Sequence, residues 1–288
     1  YYIGRPFMTQ RIKILLNKKV FISGAASGIG RATAAAMGLA GCRLFLTDIN
    51  AEGLKKTADM ISSAGDNVCL SRPFDVGDYE AMRAFASEIH AEFGSLDILV
   101  NVAGVALFAK IEDMQHRDWE KIIRINLWGV IHGLECFVPE MIRAGKGGHV
   151  VSVSSTAGLI GLPWHVAYAA TKHALVGMSE VLRYDLRKYK IGVSVVCPGA
   201  VHTGLVNTAD IRTDDHEATN KARKMFVKIA MTPEKVADLI IQAILKNKYL
   251  VITSLDVKLF YFIKRTCFPL YHLVMLIINR FMDKALKK

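Results

Sequence analysis

Cysteine is scarce in this chain and shows no pairing pattern. Its five residues, Cys42, Cys69, Cys136, Cys197 and Cys267, are an odd number, widely separated, with no C-x-x-C. That distribution argues against a disulfide framework or a zinc ribbon and leads us to expect a reducing, cytoplasmic compartment. The nine histidines include neither H-x-x-x-H nor H-E-x-x-H, so no metal site is expected. There is no N-x-S/T acceptor sequence. Proline is limited to 7 of 288 residues, which leaves no Pro-rich linker to divide the chain. We find no fixed-period repeat and no low-complexity tract. Long apolar runs are missing too. Ile12 to Leu16 is too short for a signal-peptide core and contains Lys13. In the C-terminal tail the longest run free of formal charge, Thr266–Asn279, is 14 residues. A bilayer span needs ~20.

Acidic residues are missing from the first 19 positions. The formal charge of +11 therefore sits at the ends: residues 1–19 carry net +5 and residues 255–288 another +5, which leaves +1 on the body between them. A nucleic-acid enzyme would spread its bases along a groove of the body, so no nucleic-acid partner is expected. Residues 1–7 precede Met8 and read as an expression remnant or an upstream start. The domain division expected is 1–7, a core at 8–254, and a C-terminal extension at 255–288.

What is present is alternation. Strand-like runs at Lys19–Ser23, Cys42–Asp48, 67–73, 96–101, His149–Val153, Gly192–Cys197 and Tyr249–Ile252 alternate with helical patterns. The helical patterns fall at about 29–39, 51–64, 78–93, 112–126, 128–144 and 166–190. A further helix opens at Thr232-Pro233, with proline in the first turn after a capping threonine. Strands that are apolar throughout belong to a parallel sheet covered on both faces. The expected fold is therefore α/β, a doubly wound parallel sheet of Rossmann-like type flanked by helices, in one domain, with an extra apolar and basic helical segment at the C-terminus. In such sheets ligands bind beyond the strand C-termini, where the strand order reverses.

The first strand runs into Ser23-Gly24-Ala-Ala-Ser27-Gly28-Ile29-Gly30-Arg31. Glycines at 24, 28 and 30 allow a tight turn and close approach of a pyrophosphate to the backbone, and the next helix aims its N-terminus at the negative charge. Gly24, Ser27, Gly28, Ile29 and Gly30 are accordingly cofactor candidates. Asp48 ends the second strand 20 residues after Gly28, where an acid chelates a ribose diol and repels a 2′-phosphate. No Lys or Arg occupies 25–27, so NAD is expected over NADP, with Arg43 and Arg72 as the cations that could fold back towards a phosphate. The other use open to Asp48 is to cap the helix near Ala51.

Two Tyr-x-x-x-Lys pairs occur, Tyr168/Lys172 and Tyr184/Lys188. On a helix this spacing puts a phenol and an ammonium on one face. Only Tyr168 stands where a helix starts beyond a strand end. Tyr184 lies further along the same helix and is expected at the surface.

Taken in order, these segments resemble the short-chain dehydrogenase/reductase family of the compact type, over about residues 18–252. Ser23 stands in its glycine motif where Thr is usual. Asp75-Val76 resembles the pair that holds the adenine, and Asn101-Val102-Ala103-Gly104 resembles N-N-A-G with Val102 for the second Asn. Asn126, in the run RINLWG, matches the active-site Asn. Ser155 lies thirteen residues before Tyr168, the family's catalytic spacing, and Pro198-Gly199-Ala-Val201-His-Thr203 matches P-G-x-x-x-T. The resemblance implies an oxidoreductase whose catalytic residues are Asn126, Ser155, Tyr168 and Lys172. Its cofactor residues would add Asp75, Val76, Asn101, Ala103, Gly104, Pro198, Gly199, Val201 and Thr203 to the glycine loop and Asp48, with Tyr168 and Lys172 shared. It also implies subunits joined through the helices near 112–144 and 166–190, as a homodimer or homotetramer.

The expected chemistry uses Tyr168 as general base in oxidation or acid in reduction. A free phenol has a pKa of about 10, and Lys172 with an oxidised nicotinamide would lower it; a fall of about 2 pH units corresponds to roughly 2.7 kcal/mol. Ser155 would donate to the substrate oxygen. Asn126 would anchor a water in a proton relay or, equally, bond backbone amides. Thr203 would hold the carboxamide, cap a helix, or do both.

The loops Val105–Phe108 and Leu159–Trp164 are apolar, with no cation to clamp an acid. They suggest a lipophilic secondary alcohol or ketone such as a steroid, retinoid or lipid, with Val105, Phe108, Leu162, Trp164, His165 and Leu205 as substrate candidates. The loops could instead pack under a neighbouring element. The segment after Thr203, with Asp210–Glu217, reads as a lid. The basic, aromatic-rich tail at 255–288 suits peripheral contact with an anionic membrane, or else a helix that closes the pocket or joins subunits. An NADP-dependent ketone reductase and a non-catalytic dinucleotide-binding scaffold are the alternative functions.

Overall fold

A computed structural model describes residues 14–65, 67–203, 210–212 and 230–286. Seven parallel strands form one sheet: β1 (Lys19–Ser23), β2 (Arg43–Asp48), β3 (Val68–Pro73), β4 (Ile98–Asn101), β6 (Gly148–Val153), β7 (Ile191–Cys197) and β9 (Leu250–Ile252), in the order β3-β2-β1-β4-β6-β7-β9. The chain builds outwards from β1 to β3 and then returns to lay β4 against the other side of β1. The order therefore reverses between β1 and β4, and a crevice opens at their C-terminal ends. In register, Val20 of β1 pairs with Leu44 of β2 on one side and Ile98 of β4 on the other.

Alternate residues of each strand feed opposite faces. Val20, Ile22, Leu44, Leu46, Val151 and Val196 face one core. This core is closed by α1 (Gly28–Leu39), through Ala34 and Met37, and by α7 (Pro233–Leu245), through Val236, Ile240 and Ile241. Phe21, Phe45, Leu99, Val150 and Val193 face the other, against α3 (Tyr79–Phe93) and α5 (Gly129–Ala144). Burial of each such side chain is worth about 1.5–3 kcal/mol, which is why runs apolar throughout become central strands.

Local chemistry sets the helix starts. The Asp78 side chain accepts from Ala81 N at 3.1 Å at the head of α3, and Thr232 from Lys235 N at 3.4 Å at the head of α7, with Pro233 in its first turn. At α2 (Ala51–Ser62) the cap is Asn50, which accepts from Gly53 N at 2.9 Å. Asp48 does not cap that helix.

Several expected boundaries shift. The segment read as helices at 112–126 and 128–144 is a short 3-10 turn at Ile111–Asp113 and then one continuous run: α4 (His116–Ile123), a π-helical turn (Arg124–Trp128) and α5. The helix expected at 166–190 is α6 (Val166–Asp185), after which the chain tightens to a 3-10 turn at Arg187–Tyr189. The apolar stretch taken as a loop after β4 contains β5 (Leu107–Phe108), paired in parallel with β8 (Asp210–Ile211). The lid segment thus contains a short strand, and Arg212 clamps both oxygens of Asp118 at 2.6 Å. The rest of the lid, 204–209 and 213–217, lies outside the described residues. Two-residue strands carry too little pattern to be read from sequence.

The C-terminal extension folds as two helices, α8 (Leu255–Thr266) and α9 (Phe268–Leu286). They pack on the loop that follows β6. Tyr271 and Val257 are buried there with Leu159 and Ile160. The Tyr271 hydroxyl accepts from Gly161 N at 2.9 Å, and Lys264 Nζ donates to Leu159 O at 2.7 Å. No described helix is long and apolar enough to cross a membrane.

Candidate active site

The crevice between β1 and β4 starts from the glycine loop. Gly24 and Gly28 adopt positive φ (+70° and +50°), a region that disfavours side chains. A Cβ on Gly24 would come within 2.8 Å of Ala103 N, and one on Gly30 within 1.9 Å of Gly24 O. These two glycines thus let the loop close on itself and on the β4 end; pyrophosphate approach is only part of their use. Ser23, in the usual Thr position, does the same work: its Oγ accepts from Val102 N at 3.1 Å and Ala103 N at 3.2 Å. Sequence reading missed a further brace, Arg31, which donates to Thr57 Oγ1 at 2.9 Å and to the carbonyl of Ala26. Its place one residue after the last glycine was the signal.

The loop fits a dinucleotide. The N-cap of α1, Ser27, makes no side-chain cap, and the first turn carries no acid, so the helix presents uncompensated N–H groups to an anion. Asp48 accepts from Ala26 N (Oδ2) and from Asn50 N (Oδ1), both at 2.9 Å, which holds a carboxylate against the glycine loop. The two cations considered for a phosphate are engaged elsewhere. Arg43 opens β2, at the far end of the sheet, with its guanidinium over the Phe93 ring; Arg72 pairs with Glu88 at 2.6 Å. Asp75 is held by Gly77 N at 2.8 Å and by Arg124 at 2.7 Å, a pairing between distant segments invisible in sequence. Val76 is buried, and its carbonyl bonds His132 Nδ1 at 2.9 Å. Asn101 is also buried, and neither amide atom has a partner among the described residues.

Ile29, Gly104, Val105, Ser155, Tyr168, Lys172, Pro198, Gly199, Val201 and Thr203 line one cavity. The three residues at 155, 168 and 172 therefore converge. Ser155 follows β6 in extended conformation, its Oγ accepting from Ala157 N at 3.2 Å. Tyr168 and Lys172 stand one turn apart on α6, both buried. Lys172 Nζ donates to Val153 O at 3.0 Å and lies 5.6 Å from the centre of the Tyr168 ring. Below it, Ser154 Oγ donates to Lys172 O at 2.8 Å.

Burial dominates the titration of this pair. It lowers the Lys172 ammonium from 10.5 to about 8. It raises the Tyr168 phenol, against the hydrogen bond of Ser155. In the chain by itself burial therefore governs the phenol; the expected lowering calls for an oxidised nicotinamide beside Lys172 as well. Cys197, buried nearby at the end of β7, is pushed up to about 12 by its own burial and is not a thiolate.

Asn126 sits fully buried in the π-helical turn. It spans the Val105 peptide, accepting from Val105 N at 2.8 Å and donating to Val105 O at 2.9 Å. It therefore does bond backbone groups, as the structural alternative held. It also faces the amine: a Cβ on Gly104 would lie 3.1 Å from Asn126 Oδ1 and 3.5 Å from Lys172 Nζ. Thr203 lies over Gly28, where an added Cβ would come within 2.8 Å of its methyl.

On the open side Phe108 packs 4.4 Å from the His165 ring and 6.4 Å from Tyr168, and Leu162 joins the same cluster. His165 donates from Nδ1 to Pro163 O at 2.5 Å, and burial holds its pKa down. Trp164 has φ +66° and lies under Lys110 Nζ, 5.0 Å from the ring. Leu205 lies outside the described residues. The second pair is elsewhere: Tyr184 is exposed, and Lys188 falls beyond the end of α6.

The sequence profile of the family described as short chain dehydrogenase matches residues 18–214. The oxidoreductase EphD of Mycobacterium tuberculosis is 35% identical over 235 residues, 80% of this chain and 40% of that protein, so the chain spans less than half the length of this relative. The CLA biosynthesis dehydrogenase/reductase of Lactiplantibacillus plantarum is 33% identical over 258 residues, 84% of this chain and 90% of that protein. Among solved structures, a short chain dehydrogenase/reductase from Burkholderia phymatum in complex with NAD superposes with a TM-score of 0.80 at 28% identity, covering 89% of this chain and 95% of that one.

Proposed function

The chain belongs to the short-chain dehydrogenase family, and we propose that it is an oxidoreductase that interconverts a lipophilic secondary alcohol and its ketone with NAD. The convergence of Ser155, Tyr168 and Lys172 in one cavity beside the glycine loop carries this reading.

When bound, the dinucleotide supplies the hydride acceptor or donor. Its loop would be Gly24, Ser27, Gly28, Ile29 and Gly30; its adenosine half would rest on Asp48, Asp75 and Val76, and its nicotinamide half between Lys172, Pro198, Val201 and Thr203. Asn101, Ala103, Gly104 and Gly199 form the walls between. Asp48 supports NAD over NADP because its carboxylate repels a 2′-phosphate, and Arg43 and Arg72 are engaged elsewhere.

Tyr168 takes the alcohol proton during oxidation and returns it during reduction. Ser155 donates to the substrate oxygen, where charge develops. Lys172, charged below about pH 8, favours the phenolate electrostatically and would relay a proton to solvent through water held beside Asn126. Burial of the phenol keeps it protonated in the resting chain, so the base forms only as positive charge gathers around it. Lipophilic substrate specificity is supported by Val105, Phe108 and Leu162, an apolar open side with no cation among them. Trp164 and His165 shape its rim.

Two copies would associate through α4–α5 and α6, where Trp128, Val181 and Tyr184 leave large apolar surface in water; sedimentation equilibrium checks this. Turnover is tested by following reduced-nicotinamide absorbance across steroids, retinol and long-chain secondary alcohols with both nucleotides. Activity with NAD and none in Tyr168→Phe supports the assignment. Tight NADH binding without turnover of any alcohol or ketone would favour the scaffold instead.

A further inference from the structure

The α8–α9 hairpin is apolar on two faces. The inner face is accounted for, since Val257, Tyr271 and Met275 pack against Leu159 and Ile160. The outer face has no partner among the described residues. Leu255, Leu259 and Phe262 recur along one side of α8, and Leu270, Leu273, Ile277 and Phe281 along one side of α9, every one of them exposed. Leu273, Ile277 and Phe281 remain 55%, 59% and 59% accessible, in a helix that carries no acid in its first turn. A water-facing helix would place polar residues there.

Charge indicates what covers this face. Residues 255–288 carry net +5. Lys258, Arg265 and Arg280 are exposed beside the apolar stripes, whereas Asp283, one of the two acids, is paired with Lys110 at 3.0 Å. An apolar stripe edged by Lys and Arg, too short to cross a bilayer, is the composition of a helix lying in an anionic lipid surface. A protein interface would have to supply a matching patch that is both apolar and acidic, whereas an anionic lipid surface supplies both at once.

We infer that the α8–α9 hairpin docks on the surface of an anionic phospholipid bilayer and holds the substrate side of the site next to it. The second half follows from two bonds. Tyr271 Oη to Gly161 N and Lys264 Nζ to Leu159 O tie the hairpin to the loop that begins four residues after Ser155. A hairpin seated in lipid therefore fixes the loop bordering the open side at the lipid surface, where a membrane-dissolved alcohol or ketone is concentrated. This half rests on the lipophilic-substrate reading; the docking does not.

The test is flotation of the full chain with phosphatidylcholine vesicles, with and without about 30% phosphatidylserine. The chain is expected to float with the anionic vesicles and weakly with the neutral ones. The variant Leu273→Glu/Ile277→Glu/Phe281→Glu should lower the floated fraction about ten-fold, and Arg265→Glu/Arg280→Glu should remove the preference for phosphatidylserine. Circular dichroism and NADH titration report whether the variants stay folded, and the milder Ile277→Ser/Phe281→Ser should show a graded loss. No flotation of the wild type, equal flotation of the triple variant, or a triple variant that changes only the oligomeric mass would overturn the inference. Flotation is read without substrate, so its failure leaves the dehydrogenase reading standing, and failed turnover leaves the docking standing.

Discussion

Lys172 is 3% exposed, and its ammonium has no carboxylate beside it among the described residues. Its pKa falls from 10.5 to about 8 because burial strips water from the charge. By linkage that fall corresponds to about 3 kcal/mol of destabilisation when the lysine is fully charged. The folded chain binds fewer protons than the unfolded chain between about pH 8 and 10.5, so stability rises with pH across that window. Below about pH 8 the penalty is present in full; above 10.5, where the unfolded lysine is also neutral, it vanishes. Replacing Lys172 by Met removes this dependence. It also leaves Val153 O without its donor, a loss of about 1–3 kcal/mol that does not vary with pH. The difference in unfolding free energy between wild type and Lys172→Met should therefore move by about 2–3 kcal/mol in favour of the wild type from pH 7 to about 10. Urea denaturation of both proteins without nucleotide, at several pH values, measures it. A difference that stays flat would refute the buried-ammonium account and, with it, the source of the electrostatic push on Tyr168.

Other expectations follow from the same site. Tyr168→Phe should lower kcat by about 10²–10⁴-fold while NADH still binds, because only the proton transfer is lost; Ser155→Ala should lower it by about 10²–10³-fold. Stopped-flow turnover and nucleotide fluorescence separate the two effects. Asp48→Ser should weaken NADH and strengthen NADPH, changing the ratio of their dissociation constants by at least about ten-fold (about 1.4 kcal/mol); an unchanged ratio would remove Asp48 from the adenosine site. Gly30→Ala places a Cβ 1.9 Å from Gly24 O, so the loop must open. Loss of nucleotide binding with a stability drop of about 1–3 kcal/mol is expected from calorimetry and titration.

The order of strands and helices was readable from sequence because a buried parallel strand must be apolar throughout, and Lys19–Ser23 or His149–Val153 have no other stable placement. The places of the glycine loop, Asp48 and Tyr168 at or beyond strand ends, and of Tyr184 at the surface, were readable too, since each depends on position relative to a strand end. Tertiary structure alone decided what depends on contacts between distant residues. The Arg31 brace, the Asp75–Arg124 pair and the Arg212–Asp118 clamp join segments whose spacing carries no pattern. The β5–β8 pairing is too short to show a period. The direction in which Tyr168 titrates in the chain by itself was not readable for the same reason: a neighbour four residues away is visible in sequence, but the depth of burial is a property of every element packed around it. The basic, apolar tail could equally have been a closing helix or a membrane element from its composition. Only the packing separated its two faces, because a helix cannot reveal in one dimension which of its apolar stripes the fold has already covered.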